Sequence, residues 1–236
     1  MAANNGHSSY RYIIIQDMKP KITFEVITLF PDIIDSYVKE SVIGRAIKSG
    51  LIKVRVHDLR NFATGPHKKA DDRPYGGGPG MVMKPEPLIR AIDSLRISKG
   101  SSKLIMLSAG GKEFNENMAN GLAVKYKRII LIAGHYEGID ERINKIFKPE
   151  QVSIGPYVLT GGELPALAVI DAVSRKIKDV LGKEESLEEK RYGVGVPAYT
   201  RPAEFRYKGK KHAVPEILLS GDHKAVERWR LEHKIK

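Results

Sequence analysis

Short apolar runs rich in Val, Ile and Leu alternate with segments of helical period along most of this chain. ITFEVITLF (22–30), LIKVRVH (51–57), KLIMLSAGG (103–111), RIILIAG (128–134) and QVSIG (151–155) have the β-branched character of strands. Between the first two, Ile33, Ile34, Tyr37, Val38, Val42, Ile43, Ala46 and Ile47 recur at helical spacing, in a segment that Pro31 opens and Gly50 ends. Further helices are predicted over 86–97, over 113–126 and in ELPALAVIDAVSRKIKDVL. Strands alternating with helices predict an α/β fold, a mostly parallel sheet with helices on both faces.

The character of the chain changes after Leu181. GKEESLEEKRYGVGVP is charged and then Gly-rich, the composition of a linker. Beyond it Pro202 and Pro215 interrupt a basic stretch, and Asp222 is placed to cap a last helix in GDHKAVERWRLEHK. The expected organisation is an extension over 1–21, a large domain over 22–181, a linker over 182–200 and a small basic helical unit over 201–236. MAANNGHSSY is small and polar and lacks the apolar core of a secretory signal, and Met18 is a candidate functional start.

The net charge is +12 over 236 residues. Such a surplus favours a polyanionic partner, nucleic acid first and an anionic membrane surface second, with a merely solubilising surface as the alternative. No run of about eighteen apolar residues is present to span a membrane. The absence of cysteine excludes disulfides and thiolate metal sites and fits a reducing cytoplasm.

Three strands break into glycine turns: SAGG at 108–111, AGHYEG at 133–138 and IGPYVLTGGELP at 154–165. Loops at the carboxyl ends of α/β strands are where ligands bind, so together they predict a composite cleft. A fourth Gly-rich stretch, DDRPYGGGPGM (71–81), loses the most backbone freedom on folding and is read as a loop. No Gly is followed by Lys and Ser or Thr as a P-loop requires, and G-x-G-x-x-G is absent after the first strand, which disfavours ATPases and NAD enzymes. The histidines form no local metal-ligand pair; His57 and His67 border the basic loop and are candidates for phosphate contact or simple surface positions. Arg175 and Asp171 are spaced for an intrahelical ion pair.

DDRPYGGGPGM, GHYEGIDER, SIGPYVLTGGELPA, DAVSR, YTRP, LLSGDH and ERWR, in that order from about Ile22 to the C-terminus, resemble the bacterial tRNA (guanine-N1)-methyltransferases of the trefoil-knot superfamily. The resemblance implies methyl transfer from S-adenosylmethionine to N1 of the guanine immediately 3′ of the anticodon in tRNA. It also implies a deep trefoil knot, a homodimer whose active sites use both chains, and dependence on Mg2+, for which the sequence offers Glu137 alone. The cofactor would lie against Leu107, Ser108, Gly134, Tyr136, Glu137, Gly138, Ser153, Ile154, Gly155, Tyr157, Leu159, Gly161, Gly162 and Pro165. A Val side chain at Gly162 is expected to occupy cofactor space with the fold intact. Asp71, Arg73 and Gly80 would lie on the tRNA side, and Arg175 would stabilise charge on O6 of the guanine.

The general base is where the sequence departs from the family. Lys190 stands at the aspartate position of the relatives, and Glu189 is the first replacement, Glu185 the second. His135 replaces a common arginine, Pro156 a common aspartate and Met106 a common aromatic, and the chain stops soon after ERWR. A knotted methyltransferase for another RNA, or a catalytically weak RNA-binding protein, are the alternatives these departures leave open.

Overall fold

The computed structural model describes residues 19–181 and 195–233. The chain divides into two compact units, Met1–Val180 and Leu181–Lys236. The first contains a five-stranded sheet built from β1 (Ile22–Thr28), β2 (Ile52–Asp58), β5 (Ser102–Glu113), β6 (Arg128–Ala133) and β7 (Glu150–Ser153). Its order is β2-β1-β6-β5-β7, and every neighbouring pair is parallel. The short strands β3 (Asp71–Asp72) and β4 (Val82–Met83) pair antiparallel beside it.

Burial explains the near-continuous apolar runs. The central strand β6 carries Ile129, Ile130, Leu131 and Ile132, all fully buried, because both of its faces are covered. On one face Ile129 and Leu131 join a core with α1 (Pro31–Val38), α2 (Ser41–Lys48), α4 (Glu116–Lys125) and α6 (Glu163–Ser174). On the other, Ile130 and Ile132 pack with α3 (Pro85–Ser94), α5 (Arg142–Phe147) and a 3-10 turn at Leu59–Phe62. Each such side chain contributes about 1.5–3 kcal/mol by burial.

Among the buried strand residues one is charged. Glu25, in the middle of β1, is 0% exposed, and its carboxylate receives Arg55 Nη1 at 3.0 Å and Arg128 Nε at 2.9 Å, with His57 Nε2 at 2.7 Å. Burial alone would raise its pKa, but the hydrogen bonds from His57, Arg55 and Arg128 outweigh it and bring the group down to about 2. His57 is thus tied to the sheet.

Several elements differ from the sequence reading. The single helix expected between Pro31 and Gly50 is two, α1 and α2, because the chain turns at Lys39–Glu40 and Ser41 takes φ 52°. Gly44 lets the two helices meet: a Cβ there would overlap the Lys39 carbonyl. β5 does not end at Gly110–Gly111. Leu107 and Lys112 both pair with Val152, so residues 108–111 bulge out and the strand resumes to Glu113. The helix expected from 113 therefore starts at Glu116, where Asn115 accepts from Met118 N at 3.0 Å. The helix expected to continue to Leu181 ends at Ser174, with Arg175 as its C-cap.

The second unit is not purely helical. It has α7 (Glu216–Leu219) and α8 (His223–Glu232), the latter capped as expected by Asp222, whose carboxylate accepts from Lys224 N and Ala225 N. It also has a hairpin, β8 (Glu204–Tyr207) with β9 (Lys210–Ala213). Among the described residues no helix is long and apolar enough to cross a membrane.

Candidate functional site

The three glycine turns converge. Residues 106–110, running from β5 into its bulge, 134–139 after β6, and 151–162 from β7 onward, less Gly155 and Pro156, line a cavity of about 400 Å³, with Glu141, Asn144 and Pro165 beside them. Every residue that the resemblance assigns to the cofactor lines it except Gly155. A side chain at Gly155 would overlap the Tyr157 ring, so this glycine makes room for Tyr157, which does line the cavity.

Backbone contacts stitch the loops together. Gly162 N donates to the Gly134 carbonyl at 2.7 Å, and a single antiparallel bridge pairs His135 with Gly161. A Cβ on Gly162 would stand 2.7 Å from Ala133 Cα and 2.8 Å from Gly134 N. That corrects the expectation for this residue: its bare Cα seats the start of α6 on the end of β6, so a larger residue there attacks the fold before any ligand. Tyr136 takes φ 58° beside the cavity, a conformation that side chains rarely adopt and that clusters at ligand sites.

Sequence reading missed His135 as a site residue. Its ring packs 4.5 Å from Phe30 and 4.7 Å from Tyr136, and its backbone N–H points at Met83 Sδ. Nδ1 is buried without a hydrogen bond, 3.6 Å from Oε2 of the buried Glu163, whose other oxygen accepts from Thr28 Oγ1 at 2.7 Å. Its place between Gly134 and Tyr136 was the available signal.

The Gly-rich loop joins the cavity by one end. Glu137 N donates to Met81 O at 3.0 Å, Met83 N to Gly138 O at 2.9 Å and Asp140 N to Met83 O at 3.1 Å. A Cβ on Gly80 would lie 2.5 Å from Glu137 Oε1, and Asp71 pairs with Met83 across β3 and β4. Arg73 is exposed, Tyr75 fully so. Nearby, Arg142 grips Asp140 through two bonds of 2.8 Å, which hold that carboxyl below its ordinary range.

Arg175 does not line the cavity. It caps the far end of α6, a 12-residue helix whose first turn does, and such a helix is about 18 Å long. Asp171, its expected ion-pair partner, accepts from Tyr37 Oη at 2.8 Å. Glu185 and Glu189 fall outside the described residues.

The cavity suits a small molecule. Its volume is in the range of cofactor sites, and bare main chain offers donors and acceptors. Two acidic residues, Glu137 and Glu141, are among its lining residues in a chain that is basic overall. A parallel sheet with such a cavity at its strand ends defines a ligand-binding α/β domain. Residues 22–236 match the family described as tRNA (Guanine-1)-methyltransferase TrmD, and the chain belongs to that family. It is 46% identical over 218 residues to a protein of Clostridioides difficile named tRNA (guanine-N(1)-)-methyltransferase, covering 90% of this chain and 92% of the relative. Proteins of the same name from Dehalococcoides mccartyi and Geotalea uraniireducens are 45% and 44% identical, each over 90% of this chain and 85% of their own length.

Proposed function

We propose that the protein transfers a methyl group from S-adenosylmethionine to N1 of the guanine immediately 3′ of the anticodon in tRNA. The observation that carries this is the bare-backbone cavity formed by three loops of a chain that belongs to the tRNA (guanine-1)-methyltransferase family. The sulfonium of S-adenosylmethionine supplies an activated methyl group when bound. The chain has to hold it, present N1 and remove the N1 proton.

In this reading residues 22–181 form the catalytic domain, 182–200 the linker, 201–236 a tRNA-binding unit, and 1–21 an extension outside both. A trefoil knot at this end of the sheet goes with the family reading. Asp71, Arg73 and Gly80 face the tRNA. Removing the N1 proton drives negative charge onto O6, and the Arg175 guanidinium stabilises that charge most as it develops. Glu189, or Glu185 in the second alignment, accepts the proton. Because Arg175 lies a helix length from the cavity of its own chain, a site completed by a second copy is favoured, which supports a homodimer. Among the described residues no group of three His, Asp or Glu is placed to hold a metal. A Mg2+ ion at Glu137 would therefore take most of its ligands from water and substrate. The setting is the cytoplasm, where tRNA is modified.

The test is transfer of tritiated methyl from S-adenosylmethionine to an unmodified tRNA transcript, and to the same transcript with adenine in place of the target guanine. Label on the first and none on the second is expected. Label on both points to another position or another RNA, and label on neither to an RNA-binding protein without the activity. Within an active enzyme, Arg175→Ala lowers turnover by about two to three powers of ten with cofactor affinity unchanged.

A further inference from the structure

The β8–β9 hairpin carries a surface that neither the fold nor the cavity uses. All of its strand residues are exposed. Lys208 and Gly209 both take positive φ, 48° and 75°, and make the tight turn that suits a twisted two-stranded ribbon. Side chains alternate along a strand, so Phe205 and Tyr207 share a face with their cross-strand partners His212 and Lys210. Phe205 and Tyr207 are 57% and 60% exposed. The Phe205 and His212 rings stack at 5.4 Å and 19°, and Lys208 Nζ lies 5.5 Å from the Tyr207 ring. On the opposite face Arg206 stands across from Lys211, which pairs with Glu204.

We propose that this ribbon is a stacking platform for unpaired bases of the substrate RNA. Phe205, Tyr207 and His212 receive the base faces, and Lys208 and Lys210 meet the adjoining phosphates. The proposal rests on the reading of the chain as a tRNA methyltransferase and deepens it by naming where single-stranded RNA is held. An aromatic face edged by cations is complementary to a nucleobase on a phosphate backbone, and aromatic stacking is how proteins hold single strands irrespective of sequence. A protein partner would be met by an apolar or mixed-charge rim, and the rim here is cationic.

The full chain is tested with an unmodified tRNA transcript. Phe205→Leu with Tyr207→Leu keeps apolar bulk and removes the rings. It is expected to weaken tRNA binding about fivefold or more per lost base contact. The salt dependence stays as in wild type, because no phosphate contact is lost. S-adenosylmethionine affinity is unchanged, and Tyr207→Phe binds like wild type. Affinity within twofold of wild type for the double variant overturns the proposal, as does a changed sedimentation coefficient with tRNA affinity intact. Photocrosslinking of 4-thiouridine-substituted tRNA to the wild-type chain needs no substitution: adducts within 205–212 are expected, and adducts confined elsewhere overturn it. A wild-type chain that binds tRNA and transfers no methyl group counts against the activity, while the ribbon is still judged on binding alone.

Discussion

Two glycine-rich regions of this molecule use the same residue for opposite reasons. In the run Gly76–Gly78 the φ angles are 85°, 80° and 119°, and a Cβ on any of the three would meet nothing within 4 Å. These glycines supply backbone conformation in open space. Around the cavity the case is reversed. Gly111 and Gly162 do not have positive φ, but a Cβ on Gly111 would stand 2.5 Å from Val152 N, and one on Gly162 would strike the end of β6. There glycine supplies distance, letting one main chain lie against another. The composition of the two regions is alike, and only the structure separates torsion from space.

The largest effect is expected at Gly162→Val. The clash is with backbone, which has nowhere to move, so a loss of about 3 kcal/mol or more is expected in thermal unfolding. A variant as stable as wild type would erase the distinction between the regions.

A control outside both regions is Glu25. Its folded pKa of about 2 lies below the ordinary 4.5, so its contribution is complete above pH 4.5 and fades as the pH falls toward 2. The difference corresponds to about 3 kcal/mol. Urea titrations between pH 7 and 2.5 should show stability falling through this window in wild type and a flatter dependence in Glu25→Gln. Parallel curves would mean that the bonds to Arg55, His57 and Arg128 do not perturb the carboxyl as described.

The smallest effect is expected at Gly77→Ala. No atom obstructs the methyl group, so only the left-handed backbone is penalised, by about 1 kcal/mol. Thermal unfolding should show a shift of a few degrees with S-adenosylmethionine affinity unchanged. A loss as large as that of Gly162→Val would show that the loop glycines, too, are held by close contacts.

Much of the first unit was legible because parallel strands buried on both faces must be apolar throughout, as RIILIA is. The order β2-β1-β6-β5-β7 was not, since periodicity marks elements and says nothing about which strands pair. The break between α1 and α2 was hidden because both helices keep one apolar phase, and the contact of Gly44 with Lys39 exists only after packing. The β8–β9 hairpin escaped because EFRY and KKHA are exposed on both faces and so carry no burial pattern. The cavity residues came from motif resemblance and strand-end glycines together. Composition could not tell that Gly155 serves the Tyr157 ring, nor could spacing tell that Asp171 bonds Tyr37.

We propose that the cavity at the β5 bulge and the ends of β6 and β7 holds the methyl donor. Gly110 lines it, its φ is not positive, and a Cβ there meets nothing within 4 Å, so a larger side chain beside the cavity is expected to leave the fold intact. Calorimetric titration of S-adenosylmethionine into wild type and Gly110→Phe tests the claim directly. Binding to wild type and none to the variant are expected, with the two proteins unfolding at the same temperature within about 2 °C. Equal affinity in a folded Gly110→Phe would contradict it.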